Sequence, residues 1–276
     1  MINFFRKARK NLADDDPSNA RTGNVLKYSR YAVGEILLVV VGILIAIQIN
    51  SWQETRKNIR METKTLELLK DEYEENLKQL DEKISFRIEM IEAAFKLISI
   101  LDSNQNFHEI SKDSIAVYIG KTIPFPTFNP SMGVTNDIIN SGKLYIIRNS
   151  ELRVFLSAWS SNISQVSEIE QVWLNYSTNK YIPFLIDNYN YRNGMNELWK
   201  NLRLSLIMHL GDDRIQGLEI GKSVKEVHLA KLFQNENFED HLSNLLAFND
   251  LANVQSLVVK RKIIEFLEII KLELKK

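Results

Sequence analysis

The stretch YAVGEILLVVVGILIAIQINSWQ, from Tyr31 to Gln53, constrains the fold of this chain more than any other feature. No charged or strongly polar side chain occurs between Ile36 and Ile47, and the 22 residues from Tyr31 to Trp52 would measure about 33 Å as a helix. The hydrocarbon core of a bilayer needs about 20 apolar residues. The stretch therefore predicts a transmembrane helix.

Two other interpretations of the apolar stretch are a buried helix in a soluble core and a cleaved signal peptide. Basic residues flank the stretch on both sides, which is unusual for a core helix. Tyr28, Tyr31 and Trp52 stand where the interfacial aromatic anchors of a span belong. No small-x-small cleavage pattern follows the stretch. An uncleaved signal anchor is therefore the favoured prediction.

The cations on either side of the span bear on its orientation. Counted over the whole flanks they favour a cytoplasmic N-terminus, although the count within twenty residues of each end does not. The cations ahead of the span are Arg6, Lys7, Arg9, Lys10, Arg21, Lys27 and Arg30, and those after it are Arg56, Lys57, Arg60, Lys64 and Lys70. We expect a single-pass protein of the bacterial inner membrane, with a cytoplasmic N-terminus and a periplasmic C-terminal domain.

This placement divides the chain into three parts. Residues 1–30 are a basic amphipathic N-terminal segment and linker, residues 31–53 are the transmembrane signal anchor, and residues 54–276 are an extracytoplasmic helical domain. The first twelve residues, MINFFRKARKNL, are predicted either as a short amphipathic helix on an anionic inner leaflet or as a disordered basic tail.

A long amphipathic helix is predicted to follow the span as far as about Leu101. Its apolar residues recur in steps of three and four that average near 3.6, so they fall on one face. They are Leu66, Leu69, Tyr73, Leu77, Leu80, Ile84, Ile88, Ile91, Phe95 and Ile98. Because these steps do not follow a strict repeat of 3.5, core packing within the chain is favoured over a coiled coil between chains.

The segment IPFPTFNPS contains three of the five prolines of the chain and predicts an extended loop, because proline fixes φ and lacks an N–H. Phe125 and Phe128 are expected to attach this loop to the helices. Beyond it, a short helix is predicted from Val134 to Asn140, with Gly142 as its C′ residue.

Two further long helices are predicted in the second half of the chain. One is capped by Asn149 or Ser150 and runs to about Pro183. The other starts near Asn235 or Asn237 and runs to about Glu273. The predicted fold is all-α, with one N-terminal transmembrane helix continuing into a long helix and an extramembrane antiparallel helical bundle.

The patterns FFRKARK, YAVGEILLVVVGILIAIQINSWQETRK and FPTFNPSMGVTNDIINSGKLYIIRNSELR occur in this order along the chain. Together they resemble a large uncharacterised family of single-pass membrane proteins from Bacteroidota, with a Y-A-x-G-E-I span and an S-G-x-L-x-x-I-x-N-x-x-L-R motif. The chain departs from that pattern at Ser51 and at Ala158 and Trp159. The resemblance implies the membrane topology and an α-helical outer domain, and it implies no activity.

Composition and motifs argue against several functional classes. Lys+Arg and Asp+Glu both number 35, so no basic excess favours nucleic acid as a partner, and the absence of cysteine removes thiol chemistry. No phosphate-binding glycine loop, G-x-S-x-G elbow or H-E-x-x-H motif occurs. The nearest approach to a metal cluster is His209 with Asp212 and Asp213, which is more typical of a polar loop. We therefore predict no catalytic, cofactor or metal site and a protein that is not an enzyme.

Glu35 is the one residue of the span whose placement is costly. It lies near the inner interface, where it can reach headgroup water or pair with Lys27 or Arg30. With Val39, Gly42 and Ala46 it also forms one helix face, predicted as a contact face, on which Gly42 and Ala46 are a small-x-x-x-small pair. Both interpretations, tolerated or functional, remain open at this point.

Three functions of different class are compatible with these patterns. The favoured one is a non-enzymatic membrane-anchored interaction or scaffold protein, whose partners are the lipid bilayer and either a second copy of itself or another membrane or periplasmic protein. The alternative is an extracytoplasmic ligand sensor that acts through a partner, for which ligand-dependent thermal stabilisation would be the test. A hydrolase or metal enzyme would require His209, Asp212 and His228 to converge with another acid.

Overall fold

The computed structural model describes residues 22–103, 109–201 and 219–276, with the side chains of residues 22–29 and 201 excepted. All regular elements in these ranges are helical. The α-helices are α1 (Thr22–Asp102), α2 (Lys112–Thr122), α3 (Gly133–Asn140), α4 (Ser150–Tyr176), α5 (Ile182–Asn188), α6 (Tyr191–Asn201), α7 (Leu229–Phe233) and α8 (Asn237–Glu273), and a 3-10 helix, Lys143–Ile146, lies between α3 and α4. Contacts divide the chain into two units, Met1–Arg60 and Met61–Lys276, which are described separately.

In the first unit, α1 exposes every side chain from Arg30 to Lys57. Its most apolar window has a mean hydropathy of 2.6, and none of that window is buried. Among the described residues, α1 is the one helix long and apolar enough to cross a membrane, judged by length and composition. The predicted amphipathic helix of the first twelve residues lies outside the described part.

In the second unit, ten buried residues of α1 follow a repeat of 3.5, contrary to the sequence prediction. The steps alternate strictly between three and four residues, as in a left-handed coiled-coil seam. The buried positions of this seam are Leu66, Leu69, Tyr73, Asn76, Leu80, Lys83, Arg87, Met90, Ala94 and Leu97. Five others are also buried: Glu62, Glu72, Gln79, Ile84 and Ala93. Three positions of this seam are polar: Asn76, Lys83 and Arg87. A pattern built from apolar residues alone therefore leaves the seam at these positions.

The predicted apolar stripe of α1 is at least partly buried as far as Ile84; beyond it, Ile91 and Ile98 are partly buried, but two of its residues are misplaced. Ile88 and Phe95 are exposed, whereas Met90, Ala94 and Leu97 are buried in their place. The reason is that a repeat of 3.6 drifts by about 20° per heptad from a repeat of 3.5, and the difference accumulates over several turns.

Helix α8 has a matching buried seam, and both seams meet on α4. The seam of α8 comprises Phe238, Leu242, Leu245, Asn249, Ala252, Ser256, Val259, Ile263, Phe266 and Ile270. Helix α4 contributes Leu152, Leu156, Trp159, Val166, Glu170 and Trp173. Three helices thus form the main body of the second unit.

Side-chain pairs give the relative directions of these helices. As residue numbers rise from Glu74 to Asp81 along α1, their partners on α8 fall from Lys271 to Lys260. Along α4 the partners rise instead, because Tyr73 packs on Trp159 while Arg87 bonds Glu170. Helix α8 is therefore antiparallel to both α1 and α4, whereas α1 and α4 are parallel to each other. The predicted antiparallel bundle is not confirmed in that form.

Two apolar clusters fill the second unit. The first contains four packed rings, with Tyr73 and Phe266 at 4.5 Å between centroids and Phe155 stacked on Phe266 at 4.1 Å. The second gathers α2, α5 and α7 around the C-terminal part of α1, where Ile119, Leu185 and Leu232 are completely buried. Polar side chains separate the two clusters, as described below.

The proline-rich segment connects α2 and α3 without forming a helix or a strand, which confirms the predicted loop. Phe128 is buried, but Phe125 is exposed, so only one of the two phenylalanines attaches the loop to the core. Gly142 has φ +69° and follows the end of α3, which confirms the predicted C′ glycine.

Helix α4 continues through a π-helical turn, Ser177–Tyr181, into α5, with Pro183 in the first turn of α5. The sequence predicted an end or a kink at this proline, since proline donates no hydrogen bond and crowds the preceding turn. The wider π-turn accommodates the proline without ending the helix.

Helices α2 and α6 cross at two glycines. A Cβ atom added to Gly120 would lie 2.6 Å from the carbonyl oxygen of Gly194 and 3.1 Å from the amide nitrogen of Leu198. Both neighbours are backbone atoms of α6, so they cannot move without shifting the helix. The crossing therefore requires glycine at position 120.

We expect Gly120→Ala to lower the free energy of unfolding by about 1–3 kcal/mol, because overpacking outweighs the better helix propensity of alanine. Urea denaturation of the full chain, followed by tryptophan fluorescence, would measure the loss. Gly133→Ala is the matched control, since its Cβ atom would meet only the Glu72 carboxylate at 3.8 Å. Equal stability of the Gly120→Ala variant and the wild type would refute the close crossing.

Candidate functional sites

The predicted contact face of the span is open along its whole length. Glu35, Val39 and Ala46 are exposed, and a Cβ atom added to Gly42 would meet nothing within 4 Å. No other described part of the chain covers this face, so it is available to lipid or to another helix. The structure does not test which of these it contacts, and the face remains a prediction.

The aromatic residues predicted as interfacial anchors are exposed where they are described. The exposed fractions are 44% for Tyr31 and 56% for Trp52. The guanidinium of Arg56 lies 4.0 Å from the centroid of the Trp52 ring, one helical turn further along. The side chain of Tyr28 lies outside the described part.

Glu35→Gln tests whether the acid is functional. If the Glu35 face is a helix contact that uses the charge, we expect the variant to insert normally while its cross-linked assemblies become fewer. In-cell cross-linking, together with quantification of the membrane fraction, would measure both properties. Unchanged insertion, abundance and assembly would show that Glu35 is merely tolerated near the interface.

A buried polar layer, formed by Lys83, Arg87, Glu170, Asn253 and Ser256, separates the two apolar clusters of the second unit. The Arg87 guanidinium donates to the Glu170 carboxylate, to Asn253 Oδ1 at 3.1 Å and to Ser256 Oγ at 3.0 Å. The second oxygen of Glu170 accepts from the Phe128 N–H at 2.9 Å. All three long helices and the proline-rich loop are thereby joined at one point.

Burial governs the electrostatics of this layer. Arg87 is 1% exposed, and loss of water lowers its pKa while the neighbouring Glu170 carboxylate opposes the shift. Burial likewise raises the pKa of Glu170, and the Arg87 charge opposes that shift. Burial lowers the pKa of Lys83, and the negative charge of Glu170 opposes that shift. Because the layer is enclosed between apolar clusters, it is built to join helices rather than to meet a substrate.

This layer was not predicted from the sequence, because the long helix was assigned its buried face from apolar residues alone. The seam of α1 keeps its 3.5 repeat through Asn76, Lys83 and Arg87. A heptad register extended across charged residues would have identified these positions as buried. Glu170 carries no comparable local signal, because its partner Arg87 lies 83 residues away.

A second set of polar side chains on α1 binds the backbone between α2 and α4. Glu72 accepts from the Val134 N–H at 2.7 Å and the Thr135 N–H at 3.1 Å, and it also accepts from the Thr135 hydroxyl at 2.6 Å. Asn76 pairs with both backbone groups of Ser131, and Gln79 accepts from the Asn129 N–H at 3.0 Å. These residues hold the loop in register and cap the N-terminus of α3, whose own N-cap residue makes no side-chain bond.

The residues of the S-G-x-L-x-x-I-x-N-x-x-L-R pattern have structural roles in this chain. Asn149 Oδ1 accepts from the amides of Glu151 and Leu152, which confirms the predicted cap of α4. Arg153 donates to the carbonyl oxygen of Ile147 at 2.8 Å. Ile147 and Leu152 are completely buried. The pattern therefore builds the turn between α3 and α4.

The described histidines are His228 and His241, while His108 and His209 lie outside the described residues, as do Asp212 and Asp213. His228 is exposed. The Tyr176 hydroxyl bonds His241 Nδ1 at 2.9 Å, and burial lowers the pKa of His241. Within residues 22–103, 109–201 and 219–276, no three His, Asp or Glu side chains are grouped to hold a metal ion.

The described residues form an all-helical fold in which one helix is suited, by length and composition, to span a membrane. In the comparison with protein families, residues 35–164 match a family of unknown function (DUF6090), so this part of the chain is similar to an uncharacterised family. The match covers most of the apolar stretch, the rest of α1, the proline-rich loop and the first half of α4. No curated protein and no solved structure matches the chain. The Bacteroidota origin and the family motifs stay predictions.

Proposed function

We propose that this protein is a non-enzymatic, membrane-anchored interaction protein that binds a protein partner through its helical second unit. In this proposal α1 is an uncleaved signal anchor in a bacterial inner membrane, with the N-terminus cytoplasmic and the helical unit periplasmic. The exposed apolar window of α1 supports the anchor, because no described part of the chain shields it from water.

One observation carries the interaction role: the outward side of α8 is apolar. Five large aliphatic side chains between 37% and 51% exposed fall within an arc of about 140° over four helical turns. This outer face of α8 comprises Leu251, Val254, Leu257, Val258 and Ile264. Contiguous apolar patches on a protein surface mark contact sites.

The chemistry of the outer face of α8 suggests its occupant. Asp250 and Arg261, both exposed, lie on the same side of the helix and bracket most of the aliphatic residues, and the exposed Glu265 lies one turn beyond Arg261. A helix with an aliphatic face, carrying a cation and an acid at the matching distance, would complement both the apolar and the charged groups. We therefore assign the face to an amphipathic helix of another membrane or periplasmic protein.

A covalent probe placed in the outer face of α8 identifies the partner directly. A photo-cross-linking residue at Leu257, in cells that express the full chain, should yield one adduct of defined mass. Ser161 on α4 is the control position, since it is exposed and lies outside the face. Leu257→Glu should abolish copurification of the captured protein.

The outcomes are distinct. A specific adduct at position 257 but not at position 161 supports the proposal. An adduct of twice the chain mass would assign the face to a second copy and overturn the choice of partner. Equal, diffuse labelling at both positions would overturn the interaction face itself.

A further inference from the structure

The end of the apolar window carries a compact group of exposed side chains, the exit cluster: Trp52, Arg56, Lys57 and Arg60. The Trp52 ring holds the Arg56 guanidinium at 4.0 Å by a cation–π contact. This contact keeps the long arginine side chain against the helix at the level where the apolar stretch ends. A cation is thus preorganised at the depth of lipid headgroups.

The charges around the exit cluster are segregated. At about 100° per residue, Trp52, Arg56, Arg60 and Lys57 fall within an arc of about 140°, and Glu54 lies outside it. In the described part of the chain, no acidic side chain forms a salt bridge with any of the three cations of the cluster. Their positive charge is therefore available to an external anion.

The geometry points to a binding site for the headgroup phosphate of anionic phospholipids at the exit cluster. Guanidinium binds phosphate in a planar, bidentate manner, which lysine does not reproduce. The stacked Arg56 supplies that planar contact, while Lys57 and Arg60 add the positive potential that favours an anionic over a zwitterionic lipid. This inference rests on the proposed membrane anchoring.

The test uses the full chain reconstituted in phosphatidylcholine vesicles with small amounts of spin-labelled lipid. The fraction of label that is motionally restricted by the protein is compared for phosphatidylglycerol and phosphatidylcholine. The wild type should prefer phosphatidylglycerol on the order of a few-fold. The triple variant Arg56→Gln, Lys57→Gln, Arg60→Gln should lose most of that preference, and Arg56→Lys should lose part of it.

The control variant Lys78→Gln, Lys96→Gln, Lys225→Gln removes the same charge from exposed positions of the second unit and should keep the preference. Added inorganic phosphate should not abolish it, because the site recognises phosphate at the bilayer surface. An unchanged preference in the exit-cluster variant would overturn the inference. If alkaline buffer released the wild type from the vesicles, the anchoring proposal itself would be wrong. Failure of the lipid site and failure of the anchoring are thus distinguishable.

Discussion

Replacing Arg87 with methionine should destabilise the second unit by about 3–5 kcal/mol, because the change leaves the Glu170 carboxylate buried without its counter-ion. Asn253 and Ser256 lose a donor at the same time. Urea denaturation of the full chain in detergent, followed by tryptophan fluorescence, would report the loss, since Trp159 and Trp173 lie in the two apolar clusters on either side of the polar layer.

A second substitution distinguishes loss of the ion pair from loss of packing. Glu170→Gln removes the charge but keeps an oxygen that can accept from the Phe128 N–H. The double variant Arg87→Met, Glu170→Gln should therefore recover much of the stability lost in Arg87→Met. Lys78→Met, at an exposed position of α1, should change stability little. A double variant as unstable as Arg87→Met would contradict this account of the polar layer.

The Arg87→Met variant should also respond to pH in the opposite sense to ordinary acid denaturation. Burial already raises the pKa of Glu170, and removal of the opposing Arg87 charge raises it further. Because the folded state then holds this proton at a higher pH than the unfolded state, stability is lost as pH rises through the folded pKa and recovered below it. The unfolding free energy of the variant, relative to the wild type, should improve as pH falls from 8 toward 5.

Glu72→Ala should release α3 and the adjoining loop from α1. The substitution leaves the amides of Val134 and Thr135 and the Thr135 hydroxyl without their acceptor, at a cost of about 2–4 kcal/mol. Hydrogen exchange followed by mass spectrometry should show faster exchange from Gly133 to Asn140.

Two variants of α1 serve as controls for this release. Glu72→Gln keeps one acceptor oxygen and should show a smaller effect, while Glu67→Ala removes an exposed acid from the same helix and should leave α3 protected. If Glu72→Ala and Glu67→Ala exchanged at the same rate across α3, the capping role of Glu72 would be wrong.

The features that could be predicted from the sequence are those with local causes. Gly142 ends α3 because the backbone there needs positive φ, and Asn149 caps α4 through amides two and three residues ahead. Both signals lie within a few residues of their effect. The ends of α8 and the exposed apolar window of α1 could be predicted from the sequence for the same reason.

The features that were missed depend on distant partners. Glu72 caps a helix about sixty residues further along, and Arg87 meets residues of α4 and α8 that no local pattern connects to it. Ile88 and Phe95 were placed in the core because the apolar stripe left the buried seam where Lys83 and Arg87 occupy it. Supercoil register, rather than apolar character, decides burial in this helix.

We propose above that α1 anchors the helical unit on the outer side of a membrane. Two single-cysteine variants in the cysteine-free chain test this claim: Val224→Cys, at a fully exposed position of the second unit, and Asn3→Cys near the N-terminus. In intact cells whose outer membrane has been permeabilised, a membrane-impermeant maleimide should label position 224 and leave position 3 unlabelled until the inner membrane is lysed. Labelling of position 3 with protection of position 224, or equal labelling of both, would contradict the proposed topology.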